Sequence, residues 1–231
     1  VAMGSVGANT MYRPYVMKST DGGTTWNNVM DYDFSQNSVL QSYIWPLNTN
    51  PAVQRPFFSS YDMIVDGNGE LRIFAEVGSG SNSHTDSLYY SYSAIQSNFL
   101  FEVATNGANW DVTFIDSIYV EDYEYDATNT LSHYVRPQAS RSQDGTKAFY
   151  SWTASDVTLS TLREFPYAAA IGHDVTTGTS GNWTAITNLS AGTAADYVTA
   201  YQTVAVETIE NNVKDYEIAI VYGDGGSGVG M

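Results

Sequence analysis

Six arginines set against a large surplus of carboxylates are the groups in this sequence best placed to do chemistry. Arg13, Arg55, Arg72, Arg136, Arg141 and Arg163 face 25 Asp and Glu residues. Arg-Pro recurs at Arg13-Pro14, Arg55-Pro56 and Arg136-Pro137. Arg55 and Arg136 each stand just ahead of an alternating hairpin pattern, where a planar guanidinium could grip an anionic ligand with two parallel bonds. They are the candidate ligand-binding residues. In so acidic a chain the same groups can pair with nearby carboxylates instead, and we favour that plainer role. Paired carboxylates could also serve glycoside hydrolysis, which needs two of them roughly 5 to 9.5 Å apart; linear sequence does not display that spacing.

Other chemistries find fewer residues. His84, His133 and His173 are far apart and lack the short spacing of metal ligands. Each is expected in a turn or at the surface. Cysteine is absent, which removes disulfides, thiolate metal sites and thiol nucleophiles. There is no nucleophile elbow, phosphate-binding loop or dinucleotide fingerprint. The stretch 119–130 carries Glu121, Asp122, Glu124 and Asp126. It is expected to be a solvated acidic loop, because Ca²⁺ needs six or more converging oxygens. No metal or cofactor is expected, and Ca²⁺ stays open without being indicated.

The elements that must position these residues follow from composition. The chain has 231 residues and a formal charge of −16, with only 9 Lys and Arg. A nucleic-acid binder needs a basic face to displace counterions, so that class is excluded. No apolar run approaches the roughly 20 residues that cross a bilayer, so no membrane insertion is expected. Charged residues make up 15%, and Ser, Thr, Asn and Gly supply the remaining polarity. The 18 Tyr, with Thr and Val, suit a pleated surface better than a helix. The expectation is an extracellular, all-β protein.

Two kinds of hairpin alternate along the chain. The first turns on Asp-Gly or Asn: 63–75 around Asp66-Gly67, 138–152 around Asp144-Gly145, and 201–222 around Asn211-Asn212. The second returns through Gly and then Trp, at Gly23 to Trp26, Gly107 to Trp110 and Gly181 to Trp183. Two alternating hairpins make a four-stranded unit whose apolar faces only neighbouring units can cover. The expected fold is a β-propeller of four-stranded antiparallel blades, and an incomplete segment of a larger one. It would hold a half-blade at 12–34, blades at 55–115 and 135–187, and a half-blade at 197–222. Residues 223–231, rich in Gly, would form a loop or linker. A β-sandwich is the alternative, but it does not require alternating hairpins.

Ser19-Thr20-Asp21-Gly22-Gly23-Thr24-Thr25-Trp26 matches S/T-x-D-x-G-x-T-W at every defined position. This resembles the Asp-box, the bacterial neuraminidase repeat of sialidase-like propellers. Weaker echoes occur at 105–110 and 173–183, and 140–152 is similar to blades of secreted or surface propellers in Bacteroidota. The box suits a hairpin physically. Ser19 and Asp21 can bond the turn's own amides, Gly23 permits an unusual backbone angle, and Trp26 is expected to fold onto the turn as an apolar plug. The resemblance implies a structural role for Ser19, Asp21, Gly23, Thr25 and Trp26, away from any catalytic face.

Sialidase-like chemistry would use an arginine triad, a Tyr–Glu nucleophile pair and an Asp acid/base. The family's Arg-Ile-Pro signature is not carried over, since Tyr12-Arg13-Pro14 lacks its middle residue and stands too close to the box. The leading expectation is therefore a secreted or cell-surface, non-catalytic propeller that binds a glycan or a protein. One alternative is a glycoside hydrolase with part of its site outside this segment. Another is cargo of a type IX secretion or surface-assembly machine, which would then be a partner.

Overall fold

The computed structural model describes residues 2–5, 12–29, 32–44, 46–47, 50–54, 56–79, 99–118, 135–159, 165–177, 182–212 and 215–224. Arg55, Arg163, His84, His133 and the acidic stretch 119–130 lie outside them.

The described chain is all-β; its named strands pair antiparallel, and an isolated parallel bridge joins Arg141 to Glu207. Its N-terminal part pairs β1 (Ala2–Ser5) with β2 (Tyr12–Tyr15), and β3 (Met17–Lys18) with β4 (Asn27–Asn28). A one-turn 3₁₀ segment at Phe34–Gln36 and a short helix α1 (Ser38–Tyr43) follow. Composition pointed away from helices, but here local capping prevails. The side chain of Asn37 accepts from the backbone N–H of Val39 at 3.0 Å and of Leu40 at 3.1 Å, supplying two of the partners a helix start lacks. Strands β5 (Pro46–Leu47) and β6 (Asn50–Gln54) then form a short pair.

Two four-stranded meanders make the body. The first joins β7 (Pro56–Val65), β8 (Leu71–Ser79), β9 (Phe99–Thr105) and β10 (Trp110–Ser117) in sequence order. The second joins β11 (Gln138–Arg141), β12 (Lys147–Ser155), β13 (Pro166–Asp174) and β14 (Thr187–Asn188). A C-terminal ribbon pairs β15 (Thr199–Val204) with β18 (Ile220–Asp224), and β16 (Ile209–Asn212) with β17 (Asp215–Glu217).

The first meander is covered on both faces, so its central strands read as nearly unbroken apolar runs. On β8 and β9, Ile73, Ala75, Val77, Phe101 and Val103 join Val16, Phe34, Leu40 and Ile44 in one buried cluster. The alternate residues Phe74 and Leu100 join Tyr150, Trp152, Ala169 and Ile171 of the second meander in the other. Phe74 stacks on Tyr150 with ring centroids 4.7 Å apart. Alternation along each strand thus distributes side chains between two cores.

Strands of successive units are neighbours: β2 lies against β7, and the first strands β7, β11 and β15 lie against one another in turn. One carboxylate helps hold β7 to β11, because the backbone N–H of Ala139 donates to Asp62 Oδ2 at 2.9 Å.

Candidate functional site

The densest group of ionisable side chains lies between the two meanders, near their hairpin-turn end. Arg72 is on β8, two residues after the turn 66–70. Asp66 is in that turn, Glu102 is on β9, Tyr150 on β12 and His173 on β13. The parity of the strands puts them there. Arg72 shares its face of β8 with Phe74, Glu102 shares its face of β9 with Leu100, and Tyr150 and His173 follow the inward rows of β12 and β13.

Arg72 is fully buried and bonds in three directions. Its Nε donates to Asp66 Oδ2 at 2.7 Å, its Nη1 to Glu102 Oε1 at 3.0 Å, and its Nη2 to Glu70 Oε2 at 3.3 Å. The Asp66 carboxylate also closes its own turn, accepting from the N–H of Asn68 at 2.9 Å and of Glu70 at 3.0 Å. Glu102 Oε2 takes two partners from the second meander: the Tyr150 hydroxyl donates to it, and His173 Nε2 lies 2.8 Å away. An ionised carboxylate only accepts, so Nε2 carries the proton in that bond. His173 Nδ1 has no partner, and the ring stacks on Trp183 at 3.8 Å and 10°.

Burial, the Glu102 charge and the bond to Glu102 together push the Tyr150 phenol well above its ordinary range. That is the reverse of what a tyrosine nucleophile needs. Tyr150 beside Glu102 and Arg72 repeats the residue types of the sialidase pair, but each side chain is sealed and bonded within the cluster. The arrangement clamps two sheets together.

His173 therefore corrects the sequence expectation of a turn or surface residue: it is 2% exposed. The alternation of Tyr167, Ala169, Ile171 and His173 along β13 was the signal that could have placed it. Arg72 and Glu102 were likewise not singled out, although each sits in the inward row of its strand.

The turn at 19–26 is wired as its residue types suggest. Ser19 Oγ donates to Asp21 Oδ1 at 2.8 Å and accepts from the N–H of Gly23 at 2.8 Å. Thr25 donates to Asp21 through its N–H at 2.8 Å and its hydroxyl at 2.6 Å. These bonds, those of Thr25 first, lower the Asp21 carboxyl to about 2. Trp26 corrects the plug expectation. It is 58% exposed and donates Nε1–H to the Gly23 carbonyl at 3.1 Å, lying over the turn without being covered in return. A related pattern recurs at 142–147, where Ser142 Oγ donates to Asp144 Oδ1 at 2.7 Å and accepts from Lys147 N–H at 2.9 Å.

Arg136, Tyr197, Asp156 and Asp116 stand at the opposite end of the meanders. Arg136 and Tyr197 each stand two residues before a first strand, β11 and β15, and both have left-handed backbones, at φ 47° and 62°. Such strain costs on the order of 1–3 kcal/mol per residue. Arg136 is half-buried. The exposed Tyr197 ring meets Phe165 edge-on at 5.7 Å, and its hydroxyl donates to Asp156 Oδ2 at 3.4 Å. Burial holds the half-buried Asp116 at the end of β10 above its ordinary value. Among the described residues no three His, Asp or Glu side chains gather as a metal ion would require.

Set beside known proteins, the chain matches no family model and no curated protein. The structure itself defines the class: an all-β protein of antiparallel meanders joined by a buried ion cluster. Among the described residues no helix is long and apolar enough to cross a membrane.

Proposed function

We propose that this chain is a segment of a β-propeller acting as a secreted or cell-surface recognition module for a glycan or a protein. The observation that carries the propeller reading is the serial run of neighbouring strands β2, β7, β11 and β15, of which the last three open their units. Blades arranged around an axis bring their innermost strands together in this serial way. The self-satisfied turn at 19–26 supports kinship with Asp-box propellers. Its carboxylate already holds Thr25 and Ser19 and serves the hairpin.

Recognition is supported by the exposed ring of Tyr197, with the Asp156 carboxylate bonded beside it. Tyr197 and Asp156 lie on the rim at which first strands begin. A tyrosine face can stack on a sugar ring while a carboxylate accepts its hydroxyls. A glycan array and a protein pull-down with the full-length protein test this. Specific binding weakened about tenfold by Tyr197→Ala is the expected result. Absence of any glycan or protein ligand would overturn it.

The hydrolase reading has against it that the Tyr150–Glu102 pair beside Arg72 is sealed and bonded within the cluster. A fluorogenic sialoside screen distinguishes the two: turnover lost in a folded Tyr150→Phe protein would replace the recognition reading with an enzyme.

A further inference from the structure

We infer that the joint between the second meander and the C-terminal ribbon is a hydration site, in which Gln202 and three hydroxyls hold ordered water. Tyr150, Trp152 and Ala154 face the first meander. Alternation therefore turns Ser151 and Thr153 of β12 to the other face, together with Ser140 of β11. That face is covered by β15, which lies against β11, β12 and β13. On β15, Gln202 and Val204 are buried while Thr203 between them is exposed, so Gln202 faces the joint.

All four polar residues are sealed: Gln202 and Thr153 are 0% exposed, Ser140 1% and Ser151 2%. Gln202 Oε1 and Nε2, Ser140 Oγ, Ser151 Oγ and Thr153 Oγ1 have no protein partner, so no two of them bond each other. Other polar groups of the same joint are satisfied. Gln138 Oε1 accepts from the Val204 N–H at 3.3 Å, and Thr199 Oγ1 donates to the Ala195 carbonyl at 2.6 Å.

Buried polar atoms are bonded in folded proteins, to water where the protein supplies nothing. The Gln202 amide offers two donors and two acceptor lone pairs, and hydroxyls do both. Water is the ligand able to serve all five atoms. One buried water makes about three bonds, so about two molecules satisfy them. The site gives the two joints different characters. The first, between the meanders, is aromatic and ion-clamped. The second is crossed by the partly exposed Arg141–Glu207 pair and the Phe149–Tyr216 ring contact, but its sealed interior is lined by Ser, Thr and Ala and is hydrated, so the ribbon is the unit that opens first.

Oxygen-17 relaxation dispersion counts long-lived internal waters. The comparison is between the unaltered protein and a Gln202→Leu/Ser151→Ala/Thr153→Val variant. The expected result is the loss of about two such waters; an unchanged profile overturns the inference. Should that variant fail to fold, a high-resolution crystal structure of the unaltered protein decides. Water density bridging Gln202 to Ser151 or Thr153 supports the site, and direct protein contacts filling the joint overturn it. Native-state hydrogen exchange should also find β15 amides exchanging at least roughly tenfold faster than those of β8.

Discussion

Gly67 donates its backbone N–H to the carbonyl of Gly145 at 2.9 Å, so the first hairpin turns of the two meanders lie directly against each other. A Cβ on Gly145 would fall 2.3 Å from the nitrogen of Gly67, and one on Gly67 would fall 2.5 Å from the Asp144 carbonyl oxygen. Only glycine permits this approach. Gly145 also has φ 69°, in the left-handed region.

Gly145→Ala should thus lose stability twice, through backbone strain of about 1–2 kcal/mol and through the forced parting of the turns, about 1–3 kcal/mol more. Gly69→Ala is the control. Its φ is 78°, but a Cβ there meets nothing within 4 Å, so it should lose only the strain. Urea unfolding of the two variants checks the difference; equal losses would mean the turns are not in contact.

Arg72→Ala should be among the most damaging single changes. It leaves Asp66 and Glu102, both nearly fully buried, without their shared cation, at a loss of about 3–5 kcal/mol. Arg72→Lys should recover little, because an ammonium does not reproduce a planar fork aimed at three carboxylates. Replacing Arg72, Asp66 and Glu102 together by apolar residues removes the buried charges but orphans the turn amides held by Asp66 and the Tyr150 and His173 groups held by Glu102, so it should remain strongly destabilising. Chemical denaturation of the three proteins gives the order.

The turn at 19–26 should show acid sensitivity at an unusually low pH. The Asp21 carboxyl is lowered from its ordinary 3.8 to about 2. A depressed folded value means its contribution is fully present above pH 4 and fades as pH falls through about 2. Carboxyl-detected NMR titration measures this directly. Thr25→Val, which removes the hydroxyl donor, should move the midpoint back towards the ordinary value; an unmoved midpoint would contradict the wiring.

Tyr150 should remain a neutral phenol where ordinary tyrosines ionise, at about pH 10, because burial and the Glu102 charge push it up. A raised folded value contributes stability that is intact below pH 10 and lost as pH climbs beyond it. Spectrophotometric titration should therefore find at least one tyrosine that ionises only with unfolding, and Tyr150→Phe should abolish that step.

The local wiring of this protein was legible in its residues. Asp-Gly turns, the Ser-x-Asp turn at 19–21 and the alternating runs around them depend on bonds that span only a few positions. Turn geometry and strand parity follow from such neighbours wherever the chain goes. What folding alone decided was which inward-facing polar groups would meet. Arg72 and Glu102 are 30 positions apart, Glu102 and Tyr150 48, and Glu102 and His173 71. His173 read as a turn or surface residue and Glu102 and Tyr150 were not singled out, because a residue's desolvation depends on the sheet laid across it. The same reason hid Gln202 and exposed Trp26: burial is set by packing partners distant in sequence, which no short motif encodes.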